Sequence, residues 1–409
     1  MPEKRIVLSK CGIVDPGDIS SYLRQGGFKA FLKARDELTQ EGIVDEIKRS
    51  GLTGRGGAGF SCGLKWELAG KSRSKEKYLI CNADEGEVGT FKDRYILMHD
   101  PFGLIEGMCI AGLAVGAGVG YIYLRAEYHS LLELLSNAIE QVRRKGYLKH
   151  MDLRVFEGAG AYICGEESAL MNSLEGLRGE SRYKPPFPPT QGLWEKPTVI
   201  NNVETLMNIP HIITNGADWF SAMGSPRSKG TKVFCVSGDV ARPGVYELLM
   251  GSSMRELVMD LAGAQDVKAV QIGGATGSIL PGGRLDISLS HETYLGSGAV
   301  VVFNGSRDII DIVYKDMLFL HEESCGKCTP CRDGMEAMVE IYGRLINGQA
   351  DPEDIRILED LAQTMSLASL CGLGQAAPVP VLDSLKYFHD EYDAIIRQSV
   401  YVRGRASVL

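Results

Sequence analysis

Four of the ten cysteines have a spacing that suits metal chemistry. Cys325, Cys328 and Cys331 are separated by two residues each, and Cys371 follows after 39 further residues. Three sulfurs from one loop and a fourth from a distant segment suit a [4Fe–4S] cluster, because each of its four iron atoms takes one thiolate. Structural zinc more often takes two separated pairs, so a four-cysteine zinc site and unrelated core thiols remain the alternatives on spacing alone.

Two polar loops are the next candidates for chemistry. Residues 54–60 read Gly-Arg-Gly-Gly-Ala-Gly-Phe, and this glycine content lets the backbone approach a flat or anionic ligand closely. A predicted strand at 78–81 runs into three acids, Asp84, Glu85 and Glu87. Acids at a strand end can bind ribose hydroxyls and a carboxamide in α/β proteins. Each loop alone is equally compatible with a structural turn.

A second junction between a strand and a helix has the same character. The predicted strand at 152–156 leads into a glycine turn with two neighbouring acids, Glu166 and Glu167, before a predicted helix at 169–174. Singly, such a turn is more often structural than functional. Several polar turns at the ends of elements are nevertheless what a cofactor crevice requires.

A third polar segment follows a rigid proline loop at 184–187. Asn202 is predicted to be the N-cap of a helix that begins in this segment. Asn201 and Thr205 lie at the same helix start and can equally hold a phosphate, because the first turn of a helix has free backbone N–H groups. This segment therefore has both a structural and a binding interpretation.

Composition limits the class of function. The chain of 409 residues has a formal net charge of −8 and no basic block, which disfavours a nucleic-acid binder because such proteins need a cationic face. No apolar run at the N-terminus suits a signal peptide, and six cysteines are scattered singly, so a cytoplasmic location is predicted. Residues 107–124 carry no charge and approach the length of a membrane span. We predict instead a buried helix at 101–117 and a buried strand at 119–125.

Two long and three shorter motifs carry a resemblance to a known family. The long motifs are GAGAYICGEESALMNS at 158–173 and ESCGKCTPCRDG at 323–334. The shorter ones are GLTGRGGAGF at 51–60, NADEGEVGTFKDR at 82–94 and the segment from KPPFPP to INNVET at 184–205. The chain resembles the NADH- and FMN-binding flavoprotein subunit of respiratory complex I. The same module occurs as the diaphorase subunit of soluble NAD-linked hydrogenases and formate dehydrogenases.

This resemblance implies an FMN site. FMN would lie against the loop formed by Gly54, Arg55, Gly56 and Gly57. The residues implied around its ring and ribityl chain are Lys65, Asn82, Asp84, Gly165 and Glu166. The residues implied at its phosphate end are Asn201, Asn202 and Thr205. Glu85 and Tyr162 also belong to the predicted cofactor-binding set.

The resemblance also implies an NAD(H) site and the ligands of the cluster. NADH would stack on the flavin with Phe60 and Phe187 around its adenine. Glu87 and Glu167 would bind its hydroxyls or carboxamide, and Lys184 would lie close to it. The implied ligands of the [4Fe–4S] cluster are Cys325, Cys328, Cys331 and Cys371. No catalytic acid or base is expected, since the protein needs only to stack the nicotinamide on the flavin.

The predicted fold class is α/β with three parts behind a helical lead-in at 1–50. A Rossmann-like FMN and NADH domain is predicted at 51–225. Short strands alternating with Gly/Pro turns predict a β-rich module at 231–310, which resembles the β-grasp domain of the family. Helical patterns, including a cap, a proline and an acidic first turn at 351–354, predict a bundle at 316–409 that carries the iron–sulfur cluster.

The predicted function is that of an NADH:acceptor oxidoreductase subunit. NADH delivers two electrons as a hydride and a [4Fe–4S] cluster accepts one, so a flavin is expected between them. The expected partners are a thioredoxin-like [2Fe–2S] subunit and a larger iron–sulfur or catalytic subunit of a soluble hydrogenase or formate dehydrogenase, with no nucleic acid and no direct membrane span. The alternatives are the NADH-entry subunit of membrane-bound complex I, held at the inner face of a membrane by its partners, and a non-catalytic, zinc-stapled nucleotide-binding protein.

Overall fold

The computed structural model describes residues 3–293 and 295–406, with side chains as far as residue 401. Its helices are α1 Ile19–Arg24, α2 Lys29–Glu37, α3 Gln40–Ser50, α4 Cys62–Gly70, α5 Lys92–His99, α6 Pro101–Val115, α7 Leu132–Arg144, α8 Glu167–Leu174, α9 Val203–Asn215, α10 Ala217–Ser221, α11 Ile309–Glu323, α12 Thr329–Ile346, α13 Pro352–Ala368, α14 Gly372–Ala376, α15 Val379–Tyr387 and α16 His389–Ala406. Its strands are β1 Tyr78–Ala83, β2 Val119–Leu124, β3 Asp152–Glu157, β4 Thr198–Asn202, β5 Thr231–Gly238, β6 Gly244–Leu249, β7 Val267–Ile272, β8 Ser278–Pro281 and β9 Ala299–Asn304. Residues 1–2, Tyr294 and 407–409, which belong to the predicted N-terminal, β-rich and C-terminal segments, lie outside the described residues.

The first sheet is parallel throughout and has the strand order β3-β2-β1-β4. Successive residues of the central strand β1 enter different cores, because side chains alternate across a strand. Leu79 and Cys81 pack with the N-terminal helices, whereas Ile80 packs with residues of the C-terminal helices. Burial on both faces is typical of a parallel sheet. This order is that of the nucleotide-binding half of a Rossmann fold, which confirms the predicted fold class.

Helix α6 is buried along almost its whole length, as its apolar sequence predicts. Asp100 accepts a hydrogen bond from the N–H of Gly103, Pro101 occupies the first helical position, and Gly116 ends the helix at a φ of 71°. Among the described residues, no single helix is long and apolar enough to cross a membrane. In the described part of the chain, only α5 and α6 together reach that length and composition, and they are bent by 98°.

The second sheet has the order β6-β5-β9-β7-β8 in the described part of the chain. Its central strands β5 and β9 are parallel, whereas the other neighbours are antiparallel. A short helical segment, Glu256–Leu261, buries Leu257 and Val258 in the core of this module. A mixed sheet with two parallel central strands and one crossing helix is the β-grasp arrangement predicted for this region.

The C-terminal helices pack around one apolar core with α8 and the second face of the parallel sheet. Asp351 and Asp354 form the predicted cap at the start of α13, where each side chain bonds the backbone of the other. Phe388 leaves the helical conformation at a φ of −127° and separates α15 from α16. Because this bundle shares its core with the sheet, the cysteine loops lie against the α/β part of the molecule.

Candidate functional site

A cavity of about 560 Å³ opens at the carboxyl ends of β1 and β4. Asn82 and Asn202 stand opposite each other at these two strand ends. Strands β2 and β3 lie on one side of β1 and β4 lies on the other, so this is the switch point of the sheet, where open α/β sheets bind their ligands. Ten predicted residues line the cavity: Gly56, Gly57, Asn82, Asp84, Glu85, Glu87, Tyr162, Gly165, Glu166 and Asn202.

Glycine keeps one wall of the cavity open. A Cβ atom on Gly56 would lie 3.1 Å from Cβ of Asn202, and Gly57 has a φ of +121°, which side-chain-bearing residues rarely adopt. On the opposite side, a Cβ on Gly86 would lie 2.9 Å from the ring of Tyr162. Side chains at these positions would fill the space, so the cradle fits a flat ligand such as a flavin.

At the end of β1, Glu85 is buried and Asp84 is half-buried, and removal from water raises the pKa of each. Burial raises the pKa of Asp84 to about 7, and nearby Arg125 opposes the change. Burial likewise raises the pKa of Glu85. The Glu85 carboxylate accepts hydrogen bonds from the Asp93 N–H at 2.8 Å and the Tyr128 hydroxyl at 2.9 Å, so it shapes the loop from within.

Glu87 connects the two sheets across the cavity. Its carboxylate accepts hydrogen bonds from the Tyr162 hydroxyl at 2.7 Å, the Ala275 N–H at 2.8 Å and the Thr276 hydroxyl at 3.3 Å. Burial raises its pKa, although these hydrogen bonds oppose the effect. Glu87 therefore holds the β-grasp loop against Tyr162 in this structure.

A network of two lysines and two acids lies at the rim. Nζ of Lys184 lies 2.9 Å from Glu166 and 2.8 Å from Glu167, and Nζ of Lys65 lies 3.3 Å from Glu167. Burial alone would raise the pKa of both acids. A hydrogen bond from Ser168 to Glu166 and the lysine charges beside Glu167 outweigh burial, so both pKa values are lowered.

The remaining predicted residues lie behind or beside the cavity. The Arg55 N–H donates to the Thr205 hydroxyl at 2.9 Å, while the buried Arg55 guanidinium binds the carbonyl groups of residues 53, 229 and 231. Asn201 accepts from the indole N–H of Trp66 at 2.8 Å. The side chains of Arg55 and Asn201 therefore support the loops from behind.

The two predicted aromatic contacts and the first loop glycine have different surroundings. The rings of Phe60 and Phe187 are exposed, at 48% and 55% of their surface. Exposed aromatic rings beside a polar cleft can stack on a planar ligand. The N–H of Gly54 donates to the carbonyl of Phe60 at 2.8 Å and closes the glycine loop.

The four predicted cluster ligands come together between the C-terminal helices. Cys325 and Cys328 lie between α11 and α12, Cys331 lies in the first turn of α12, and Cys371 lies between α13 and α14. Burial and, to a smaller extent, the three other thiols raise the pKa of Cys331 to about 11, although a hydrogen bond with Ser324 opposes them. Cys331 is buried, whereas the other three are partly exposed.

No group of three or more His, Cys, Asp or Glu side chains in the described ranges is arranged to hold a metal ion. The ligands of a single ion must converge on one point, whereas each thiolate of a cuboidal cluster binds its own iron atom.

Several lining residues escaped sequence reasoning. Thr90, Lys92 and Asp93 line the cavity, although the motif at 82–94 had included them. Other missed groups come from the β-grasp loops, at residues 272–278, 293 and 295–297, and from Gly372, Leu373, Ala376 and Val379. Only long-range packing brings these segments to the cavity, so no local pattern signals them.

A cleft at the switch point of a parallel sheet, beside four neighbouring thiols, defines a nucleotide- or flavin-binding α/β protein with an iron–sulfur region. Two family models match the chain: the Nuo51 FMN-binding domain over residues 47–211, and the NADH-ubiquinone oxidoreductase-F iron-sulfur binding region over residues 311–395. The chain belongs to the family of flavoprotein subunits found in NADH-quinone oxidoreductases and NAD-reducing hydrogenases.

Individual relatives lie in both branches of this family. The chain is 42% identical over 411 residues to an NADH-quinone oxidoreductase subunit of Rhizobium meliloti (strain 1021), covering 96% of this chain and 98% of the relative. It is also 42% identical to NADP-reducing hydrogenase subunit HndC of Solidesulfovibrio fructosivorans, covering 95% and 83%. A crystal structure of NAD+-reducing [NiFe]-hydrogenase in the H2-reduced state superposes with a TM-score of 0.89 at 39% identity, covering 96% of this chain and 67% of that chain.

The family assigns an activity class and the cofactors. The protein is an oxidoreductase subunit, an NADH/FMN flavoprotein with a 4Fe–4S binding region. These findings confirm the predicted activity class, the predicted FMN and cluster, and a place in a multi-subunit complex. They lend no support to the zinc-stapled alternative.

Proposed function

We propose that the cavity at the ends of β1 and β4 holds FMN, with NADH stacked outside it, and that Cys325, Cys328, Cys331 and Cys371 ligate the cluster. Bound FMN would supply the chemistry that links a two-electron donor to a one-electron acceptor, since a flavin can take a hydride and release its electrons singly. The electrons then pass to partner subunits. No side chain needs to act as an acid or base in this transfer.

One observation carries the proposal: the segment that follows Cys371 lines the same cavity as the glycine loop. Gly372 and Leu373 face the space that Gly56 and Gly57 border. Tyr162 also lines this cavity. Burial raises the pKa of its hydroxyl, and the nearby Cys371 thiol adds to this rise. A flavin in the cavity would therefore have the cluster loop as its neighbour, which is what a single-electron step between them requires.

The chain's own residues would position the two ligands. Asn82 donates to the Gly165 carbonyl at 2.9 Å and joins the turns after β1 and β3. Asn202 caps α9, whose N-terminal turn suits a phosphate. Lys184 and Lys65 keep Glu166 and Glu167 ionised at the rim, where carboxylates can accept hydrogen bonds from ribose hydroxyls.

NADH is the preferred nucleotide in this proposal. The predicted nucleotide contacts include Glu87 and Glu167, whereas an arginine commonly accommodates a 2′-phosphate. The two lysines at the rim are already paired with acids. The kcat/KM for NADH should therefore exceed that for NADPH, and a reversed preference in steady-state assays would contradict this choice.

The partly exposed cysteines mark the exit for electrons. Leu367, four residues before Cys371, is 87% exposed, which leaves an apolar side chain in solvent beside the cluster loops. We place the iron–sulfur partners at this face: a thioredoxin-like [2Fe–2S] subunit and a larger subunit of hydrogenase or formate dehydrogenase type. The closely similar hydrogenase structure favours this assignment, and complex I remains the alternative because its subunits match equally well.

The test is cofactor analysis of protein purified anaerobically with its partners. Wild-type protein should contain FMN and equal amounts of iron and acid-labile sulfide, and NADH should elicit the EPR signal of a reduced cluster. Cys371→Ala should lose iron and sulfide but keep FMN, whereas Cys11→Ala, at a buried thiol far from this loop in sequence, should keep all three. Zinc without sulfide in the wild-type protein would overturn the proposal.

Mass spectrometry of the same preparation identifies the complex. A hydrogenase or formate dehydrogenase catalytic subunit would make this chain the diaphorase of that reaction. Membrane-arm subunits of complex I would instead assign it to respiratory NADH oxidation. Each outcome decides between the two branches of the family.

A further inference from the structure

A buried hydroxyl beside the cysteine loops has no hydrogen-bond partner among the described residues. Ser369 ends α13 and is only 5% exposed, yet its Oγ bonds to no other group in the described part of the chain. The backbone of the same residue is fully used: its N–H donates to the Met365 carbonyl at 3.1 Å, and its carbonyl accepts from Gln375 at 3.0 Å. An unpaired buried hydroxyl costs about 1–3 kcal/mol, so it calls for an explanation.

Ser369 lies beside two of the predicted ligands. A Cβ atom on Gly374 would lie 2.7 Å from Oγ of Ser369 and 2.9 Å from Cβ of Cys331, so these two side chains border the same small volume. The following N–H, of Leu370, points to Sγ of Cys328 at 3.5 Å. The unpaired hydroxyl therefore lies next to the Cys331 side chain and one residue from an N–H that points to the Cys328 sulfur.

A second serine already contacts a predicted ligand. Oγ of Ser324 lies 3.3 Å from Sγ of Cys331, and it accepts a hydrogen bond from the Gly326 N–H at 3.3 Å. A cysteine bound to iron is a thiolate and carries no proton, so the hydroxyl must be the donor in the loaded protein. Ser324 is arranged to do this because its oxygen already has a donor.

We propose that the hydroxyls of Ser324 and Ser369 donate hydrogen bonds to sulfurs of the bound cluster and raise its reduction potential. Ser324 donates to the Cys331 thiolate, and Ser369 donates to a sulfur on its side of the same volume. Reduction adds one electron and forms or breaks no covalent bond. The added negative charge strengthens both hydrogen bonds and so favours the reduced form. This inference rests on the proposed cysteine ligation.

The experiment is an EPR-monitored redox titration of the anaerobically purified complex. Ser369→Ala and Ser324→Ala should each shift the cluster's equilibrium about threefold to tenfold toward the oxidised form, where tenfold equals about 59 mV for one electron. Ser366→Ala is the matched control, since this serine lies on α13 one turn earlier and is not buried. Its potential should equal that of the wild type.

The outcomes separate this inference from the proposed function. Wild-type protein without iron and sulfide would overturn both. Full cluster content with potentials equal to the Ser366→Ala control in both variants would overturn the inference alone. If Ser369 is merely structural, Ser369→Ala removes an unpaired polar group and raises the melting temperature without moving the potential. Ser324→Ala decides the question independently if Ser369→Ala fails to assemble its cluster.

Discussion

Individual acids around the cleft have opposite pKa shifts, and their neighbours explain the difference. Asp84 is half-buried with no lysine paired to it among the described residues, so burial dominates and its pKa rises to about 7. Glu166 and Glu167 are also largely enclosed, but a hydrogen bond from Ser168 to Glu166 and the charges of Lys65 and Lys184 beside Glu167 lower their pKa values. Both rim acids are therefore ionised at neutral pH and balanced by two lysines, while the charge at the end of β1 varies near neutrality.

This difference predicts a selective effect of Glu167→Gln. The variant removes a carboxylate proposed to bind a nucleotide hydroxyl, and losing a charge-assisted hydrogen bond of about 1.5 kcal/mol corresponds to roughly a tenfold rise in KM for NADH. FMN should stay bound, because the predicted FMN contacts Gly56, Gly57 and Asn82 line the cavity itself. Steady-state kinetics and flavin absorbance measure the two effects.

Glu133→Gln is the control for this variant, since Glu133 is exposed on α7. It should leave both KM and the FMN content unchanged. Loss of FMN from Glu167→Gln would contradict the role assigned to this residue.

At the scale of elements, close packing of α6 against α9 supports the sheet that bears the site. Gly107 lies where the two helices meet, and a Cβ atom there would come within 2.3 Å of the Leu206 carbonyl oxygen. Backbone atoms cannot rotate away as a side chain can, so the helices would have to separate. The close contact between the two helix backbones therefore explains why residue 107 is a glycine.

Gly107→Ala should therefore destabilise the protein by about 1–3 kcal/mol, although alanine is the better helix former. Gly118→Ala is the matched control, because a Cβ atom on this exposed glycine meets nothing within 4 Å and its φ is not positive. It should change stability by less than about 0.5 kcal/mol. Melting temperatures of the loaded proteins compare the two, and equal values would contradict the packing argument.

At the scale of the molecule, a buried ionic junction joins the α/β part to the β-grasp module. Glu204 at the start of α9 lies 2.7 Å from Nζ of Lys232 on β5 and 3.0 Å from Nζ of Lys92 on α5. It also accepts from the Val233 N–H at 2.8 Å. All three charged side chains are almost wholly buried. The junction fixes how the β-grasp loops meet the cavity.

Glu204→Gln should destabilise the protein by about 3–5 kcal/mol, because it leaves Lys232 buried without its counter-charge. The same change at Glu353, which pairs with Arg356 on the surface of α13, should cost no more than about 1 kcal/mol. Thermal unfolding of both variants measures the contrast. Equal melting temperatures would show that the buried junction contributes little.

Much of the framework around the site could be predicted from the sequence, because its strands, helices and caps depend on residues that are close together in the chain. The strand at β1, the buried helix α6, the cap at Asn202 and the cap at 351–354 each follow from residues that are neighbours in the chain. The roles of individual residues and the domain limits stay predictions. Arg55 illustrates why: its glycine-rich surroundings predict a ligand contact, whereas its guanidinium is buried among backbone carbonyls.

The sequence by itself determined the fold class, the family and the cofactors, because the motifs that carry the resemblance are short continuous stretches of the chain, and it predicted the four thiols as ligands from their spacing. Only the tertiary structure decided that the residues after Cys371 line the cavity at the ends of β1 and β4 and that a β-grasp loop closes on Glu87. It also decided that Ser369 lies beside Cys331 with its hydroxyl unpaired in the described part of the chain. These placements arise from packing between segments far apart in the chain, where burial, charge and backbone geometry must be satisfied together.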